Sequence, residues 1–101
     1  MIVVNVSAEI DPANVAAMKE GIATMEEASR KEEGCQDYTF SIEINNAAMM
    51  RITEKWDTMD HLLAHFQAPH MAAFQALMAS YPPKNMDANF YEATAVTPPG
   101  M

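Results

Sequence analysis

The amino-acid sequence predicts an α+β fold in which strands and helices follow one another as β-α-β-β-α-β. Three observations carry this reading. Apolar residues alternate with period two in three separate stretches, they recur at spacings of three and four in two others, and the changes of period fall at proline, glycine or asparagine. At 101 residues, 50% hydrophobic and 20% charged, the chain has the size and composition of one globular domain, 1–101, with an ordered core over about 2–96.

Ile2 to Ile10 separates Ile2, Val4, Val6, Ala8 and Ile10 from Val3, Asn5, Ser7 and Glu9, which is the pattern of a strand rich in β-branched residues. Asp11-Pro12 then supplies a helix cap and a first-turn proline, and Val15, Met18, Ile22 and Met25 mark one face of a helix to about Lys31. Gly21 inside that helix costs ~1 kcal/mol relative to alanine, so a close packing contact is expected there. Gly34 has the place of a helix-terminating glycine.

A second strand, about Gln36 to Ile44, puts Tyr38, Phe40, Ile42 and Ile44 on one face. Asn45-Asn46 is expected to turn it through positive φ into a third strand, about Ala48 to Trp56, with Met50, Ile52, Glu54 and Trp56 together. Asp57-Thr58 caps a helix carrying Leu62, His65 and Phe66, Pro69 interrupts it, and a second piece carries Phe74, Leu77 and Met78 as far as Ser80. Pro82-Pro83 forbids continuation, Asn85 to Val96 forms the last strand, and Pro98-Pro99-Gly100 is tail. This order is the ferredoxin-like one, with both helical segments on one face of a four-stranded antiparallel sheet. The uncovered face, read as apolar, is expected to meet its copy in a homodimer.

Fourteen acidic residues against six basic ones, a net charge of −8, repel phosphate backbones and anionic lipids, so nucleic acid and membrane surfaces are excluded as partners. No apolar run approaches the ~18 residues that span a bilayer, and the first residues form no export signal. The lone Cys35 has no disulfide partner in the chain and reads as a buried, inert thiol, which suits a cytoplasmic setting.

Three glycines far apart build no phosphate loop, so a nucleotide cofactor is not expected. His61 and His65 are one helical turn apart, but the HExxH pattern is missing and no metal is assigned. His65, flanked by Leu62, Phe66 and Pro69, reads as a desolvated imidazole whose neutral form could serve as a general base. Asn5 is the one amide of its strand and a candidate hydrogen-bonding group, on the reading that its sheet face is covered. Trp56 reads as core unless a cavity lies beside it, and the ten methionines fill irregular space, Met18, Met25 and Met78 being core.

Glu32-Glu33-Gly34-Cys35 with Tyr38, then Glu54-Lys55-Trp56, then the run from His61 through Ala64-His65 and Pro69-His70-Met71, resemble the antibiotic biosynthesis monooxygenase superfamily, nearest its small quinol monooxygenases. The resemblance implies a dimeric α+β barrel and oxidation of a small electron-rich aromatic, quinol- or anthrone-like, by O2 with no cofactor. It casts His65 as base, Asn5 as ligand of the substrate oxygen and Trp56 as aromatic wall, with Tyr38, Glu54, Phe66, His70 and Phe74 as lining. Of the set used by anthrone-type members only Trp56 is present, Ile52, Leu62 and Ala76 standing at the other positions. Of the haem-degrading set only Asn5 matches, with His65 and Gln75 in place of the other two residues. The alternative is a non-catalytic dimer that holds a small apolar metabolite in the same pocket.

Overall fold

The computed structural model describes residues 1–101. β1 (Ile2–Glu9) leads to Asp11, whose side chain accepts from the Ala13 N–H and caps a 3₁₀ turn at Pro12–Asn14 before α1 (Val15–Arg30). β2 (Cys35–Glu43) and β3 (Asn46–Trp56) form a hairpin, α2 (Met59–Phe66) and α3 (Pro69–Ser80) follow, and β4 (Lys84–Glu92) completes the sheet. The strand order β2-β3-β1-β4, antiparallel throughout, is the ferredoxin-like arrangement.

Register decides which side chains meet. Across β1 and β3, Ile2 faces Trp56, Val4 faces Glu54 and Val6 faces Ile52, while Tyr38 of β2 faces Glu54 from the other side. Because side chains alternate between faces, these residues share one face, and the helices cover it with Met18 and Met25 of α1 and Leu62 of α2. Trp56 and Tyr38 sit at the centre of this core. The glycine inside α1 has the packing role its position implied: a Cβ on Gly21 would stand 2.7 Å from Leu77 Cδ2 of α3.

Several boundaries differ from expectation for local reasons. The hairpin turns at Ile44-Asn45 without positive φ, and Asn46 opens β3 with its side chain accepting from the Ala48 N–H; Ile44 is therefore 99% exposed rather than on the strand face. Gly34 (φ +79°) lies beyond the end of α1, in the turn that opens β2, where a Cβ would collide with the His61 ring. β4 stops at Glu92, not Val96, because its partner β1 begins at Ile2, opposite Glu92; Val96 is 82% exposed.

The uncovered face is polar, which corrects the apolar reading. Thr39, Thr53, Asn5 and Asn89 form one row across all four strands, flanked by the rows Asp37, Lys55, Val3, Tyr91 and Ser41, Arg51, Ser7, Asp87. Apart from Tyr91 in one of these rows, the exposed large apolar groups lie elsewhere, chiefly Met59, Leu63 and Phe66 on α2 and Met86 and Phe90 on β4. No helix is long and apolar enough to cross a membrane.

Candidate active site

The hydroxyl of Thr58 accepts the His61 N–H and starts α2 in a phase that turns Leu62 and His65 inward together. His65 is 0% exposed, its ring centroid 4.7 Å from that of Trp56 and 5.2 Å from that of Tyr38. Pro69 ends one helix and begins the next, so His70 enters from the first turn of α3.

Glu32, in the turn between α1 and β2, joins the two histidines. Its Oε2 accepts from His65 Nδ1–H at 2.5 Å and from His70 Nε2–H at 2.7 Å, one oxygen shared by two rings. The side chains of Glu32 and His70 are 17% and 20% exposed, so the cluster runs from the core to the surface. On the inner side, His65 Nε2 is buried without a hydrogen-bond partner, 4.0 Å from Glu54 Oε1, which accepts from Trp56 Nε1–H at 3.0 Å.

Burial pushes the Glu54 carboxyl above the usual carboxylate range and nearby Glu32 adds to this, while the Trp56 indole and His65 oppose it. Tyr38 is likewise raised by burial and then by Glu54. Cys35, half-buried, is pushed up to about 11 by burial first and by Glu32 next.

The structure thus brings His65, Trp56, Tyr38 and Glu54 into contact and reaches His70 through Glu32. It does not bring Asn5 to them: Asn5 is exposed in the polar row on the opposite face of the sheet. Phe66 turns outward and is exposed, while Phe74 packs on Phe40 at a centroid distance of 5.4 Å. No cavity is lined by His65, Glu54 or Trp56, so Trp56 is a core residue in this arrangement. His70 does line one, a groove of about 380 Å³ between α1 and α3 shared with Gly21, Met25, Phe74 and Leu77.

His61 stands apart, with Nδ1 accepting from the Thr58 hydroxyl at 2.9 Å, so the His61/His65 pair is not a ligand pair. The donor set that could hold a metal is instead Glu32, His65 and His70, with ligand atoms all within 4.8 Å of one another. Sequence reasoning missed Glu32 as a functional residue, although it opens the E-E-G-C run; its partners lie 33 and 38 residues away. Chemically, a carboxylate between two imidazoles is a path for a proton, and because His70 Nε2 is committed to Glu32, Nδ1 is its free ring nitrogen.

Solved structures share this fold. A conserved protein of Methanosarcina mazei is 25% identical, with a TM-score of 0.84 and 92% of each chain covered. A Deinococcus radiodurans protein proposed as an antibiotic biosynthesis monooxygenase is 21% identical, with a TM-score of 0.84 over 97% of each chain. A Nitrosomonas europaea protein proposed likewise is 19% identical, with a TM-score of 0.86 over 94% of this chain and 100% of its own. No curated protein matches the chain in sequence. The family model of the antibiotic biosynthesis monooxygenases matches residues 1–77, a span that takes in Glu32, Glu54, Trp56, His65 and His70, and the chain belongs to that family.

Proposed function

We propose that the chain is a monooxygenase that oxidises a small electron-rich aromatic, quinol- or anthrone-like, with O2 and without a bound cofactor. The observation that carries the reading is the single Glu32 oxygen shared by His65 and His70, one ring sealed in the core and the other at a groove. A base is what such chemistry requires of the protein: loss of a phenolic or benzylic proton gives an anion that can pass an electron to O2. For an anthrone-type methylene the balance closes as CH2 plus O2 giving C=O plus H2O, with the substrate as the only electron donor.

His65, the base expected from the sequence, has no cavity against it, so the proposal assigns base function to the bridged pair. His70 Nδ1 takes the proton and His65, through Glu32, holds the carboxylate that stabilises the cation formed. Asn5 is left out of this assignment because it belongs to the other face. Dimerisation is part of the proposal and is supported by the family and by the exposed apolar groups of α2 and β4.

The test is oxygen uptake by chelator-treated protein across a panel of hydroquinones and anthrones, with no flavin or nicotinamide added. Saturable uptake above autoxidation is expected, with kcat lower by ~10²–10⁴ in His70→Ala. Tight binding of panel members with no uptake would establish the binding-only alternative, and a requirement for added flavin or haem would overturn cofactor independence.

A further inference from the structure

We propose that Glu32, His65 and His70 also form a binding site for a divalent transition metal of the zinc class, and that an ion there displaces the proton path. Two imidazole nitrogens and a carboxylate oxygen are the donor set of open, three-ligand sites. Here they come from three different elements, the turn after α1, α2 and α3, yet converge within 4.8 Å. His65 offers Nδ1 and His70 offers Nε2, both aimed at the same carboxylate oxygen.

An ion about 2.0–2.2 Å from each donor needs the donors roughly 3–3.5 Å apart. The oxygen now lies 2.5 and 2.7 Å from the two nitrogens and must withdraw by less than about an ångström, while the two nitrogens, which stand within 4.8 Å of each other, must come to the same spacing. Glu32 is placed to do this, since it belongs to a turn rather than a helix or strand. The N–H proton that each ring now points at the oxygen moves to its other ring nitrogen as the ion enters, His65 Nε2 and His70 Nδ1, so that both histidines bind as neutral imidazoles.

A second, independent observation concerns the far side of the His65 ring. Nε2 is buried with no hydrogen-bond partner, facing Glu54 Oε1 at 4.0 Å. With Nδ1 on a metal, the remaining ring proton must sit on Nε2, and the Glu54 carboxyl, already fixed by the Trp56 indole, stands 4.0 Å away, a gap that the ring must close by about an ångström to make the bond. A carboxylate behind a ligating histidine is the usual outer partner of a metal site, orienting the ring and raising its basicity. Entry is from the surface, which the side chains of Glu32 and His70 reach at 17% and 20% exposure.

Filling the site removes the path from His65 to His70, because the ion takes every atom that composes it. Metal binding itself requires no substrate and does not rest on the oxygenase reading. The experiment is titration of the chelator-treated full chain with Co²⁺, followed by its visible absorption, then displacement by Zn²⁺ in a calorimeter. One ion per chain is expected. His70→Ala and Glu32→Gln should weaken binding at least ~100-fold, Glu54→Gln about 10–100-fold, and His61→Ala should leave it unchanged. Far-UV circular dichroism of each variant establishes that it is folded. Absence of saturable binding, or binding that survives both His70→Ala and Glu32→Gln, would overturn the site. Oxygen uptake on any competent quinol should fall in proportion to Zn²⁺ occupancy; uptake indifferent to full occupancy, or raised by it, would overturn the competition while leaving the site.

Discussion

Replacing His65 by alanine should cost the fold more than it tells about catalysis, and the size of that cost follows from the ring's surroundings. The imidazole is 0% exposed, packed against Trp56 and Tyr38, and its Nδ1–H makes a charge-assisted bond to Glu32. Removing a buried ring of this size leaves a cavity that costs ~2–3 kcal/mol when the walls do not collapse. Loss of a hydrogen bond to a charged group adds ~1.5–3 kcal/mol, taken at its lower end because Glu32 keeps His70 as a partner. The sum is about 3–5 kcal/mol against a total stability of ~5–15 kcal/mol for a domain of this kind. In a chain of 101 residues that corresponds to a drop in Tm of roughly 15–30 °C. Urea unfolding followed by far-UV circular dichroism measures it, with His70→Ala as the comparison: that variant also loses a bond to Glu32, about 1.5 kcal/mol, but removes a ring that is 20% exposed and so leaves less of a cavity. A His65→Ala variant less than about 1 kcal/mol below wild type, or no worse than His70→Ala, would refute the sealed environment described above.

Glu54→Gln keeps an acceptor for the Trp56 indole but removes a carboxyl that burial raises. Since the folded-state pKa lies above the unfolded one, the folded chain holds that proton more tightly, and stability falls as pH rises from the unfolded through the folded value. The variant should therefore melt above wild type at pH 7 to 8 and lose its advantage as pH approaches ~4, which calorimetry across pH would show; a constant difference would contradict the argument. Cys35, pushed up to about 11, should react with iodoacetamide at pH 8 on the order of 100-fold more slowly than an ordinary thiol, its thiolate fraction being that much smaller. A mass-spectrometric time course matching free cysteine would show the thiol to be less enclosed. Sedimentation equilibrium should give twice the 11.2 kDa chain mass, and a clean monomer at micromolar concentration would count against the dimeric barrel.

The elements were legible because their signals are local. Alternation from Ile2 to Ile10 marks β1, and the same alternation already separates Asn5 from Ile2, Val4 and Val6, so its place away from His65 follows once the helices are known to cover the Val4 face. What was not legible depends on partners distant along the chain. Glu32 gains its role from rings in α2 and α3, and β4 ends where β1 runs out. The outward face looked apolar while Val, Ile and Phe were counted by strand; register sorts nearly all of them inward and leaves threonine, serine, asparagine and charged residues outside. Cys35, expected to be buried, is half-buried instead, because it opens β2 at the edge of the sheet, and what enclosure it has raises its thiol.

Trp56 is the only tryptophan, which gives the chain a single indole emitter, excitable apart from its three tyrosines, placed inside the cluster rather than on the surface. Its indole N–H is held by Glu54 and its ring lies tilted at 37° against the His65 imidazole, so the excited state is in van der Waals range of the groups that change charge or position when a proton or ion moves. Emission from the native, unlabelled protein consequently reads the buried end of the network directly. Its intensity answers to the state of His65 and its wavelength to whether water has entered the core, and the two can be followed separately in stopped flow without introducing any probe.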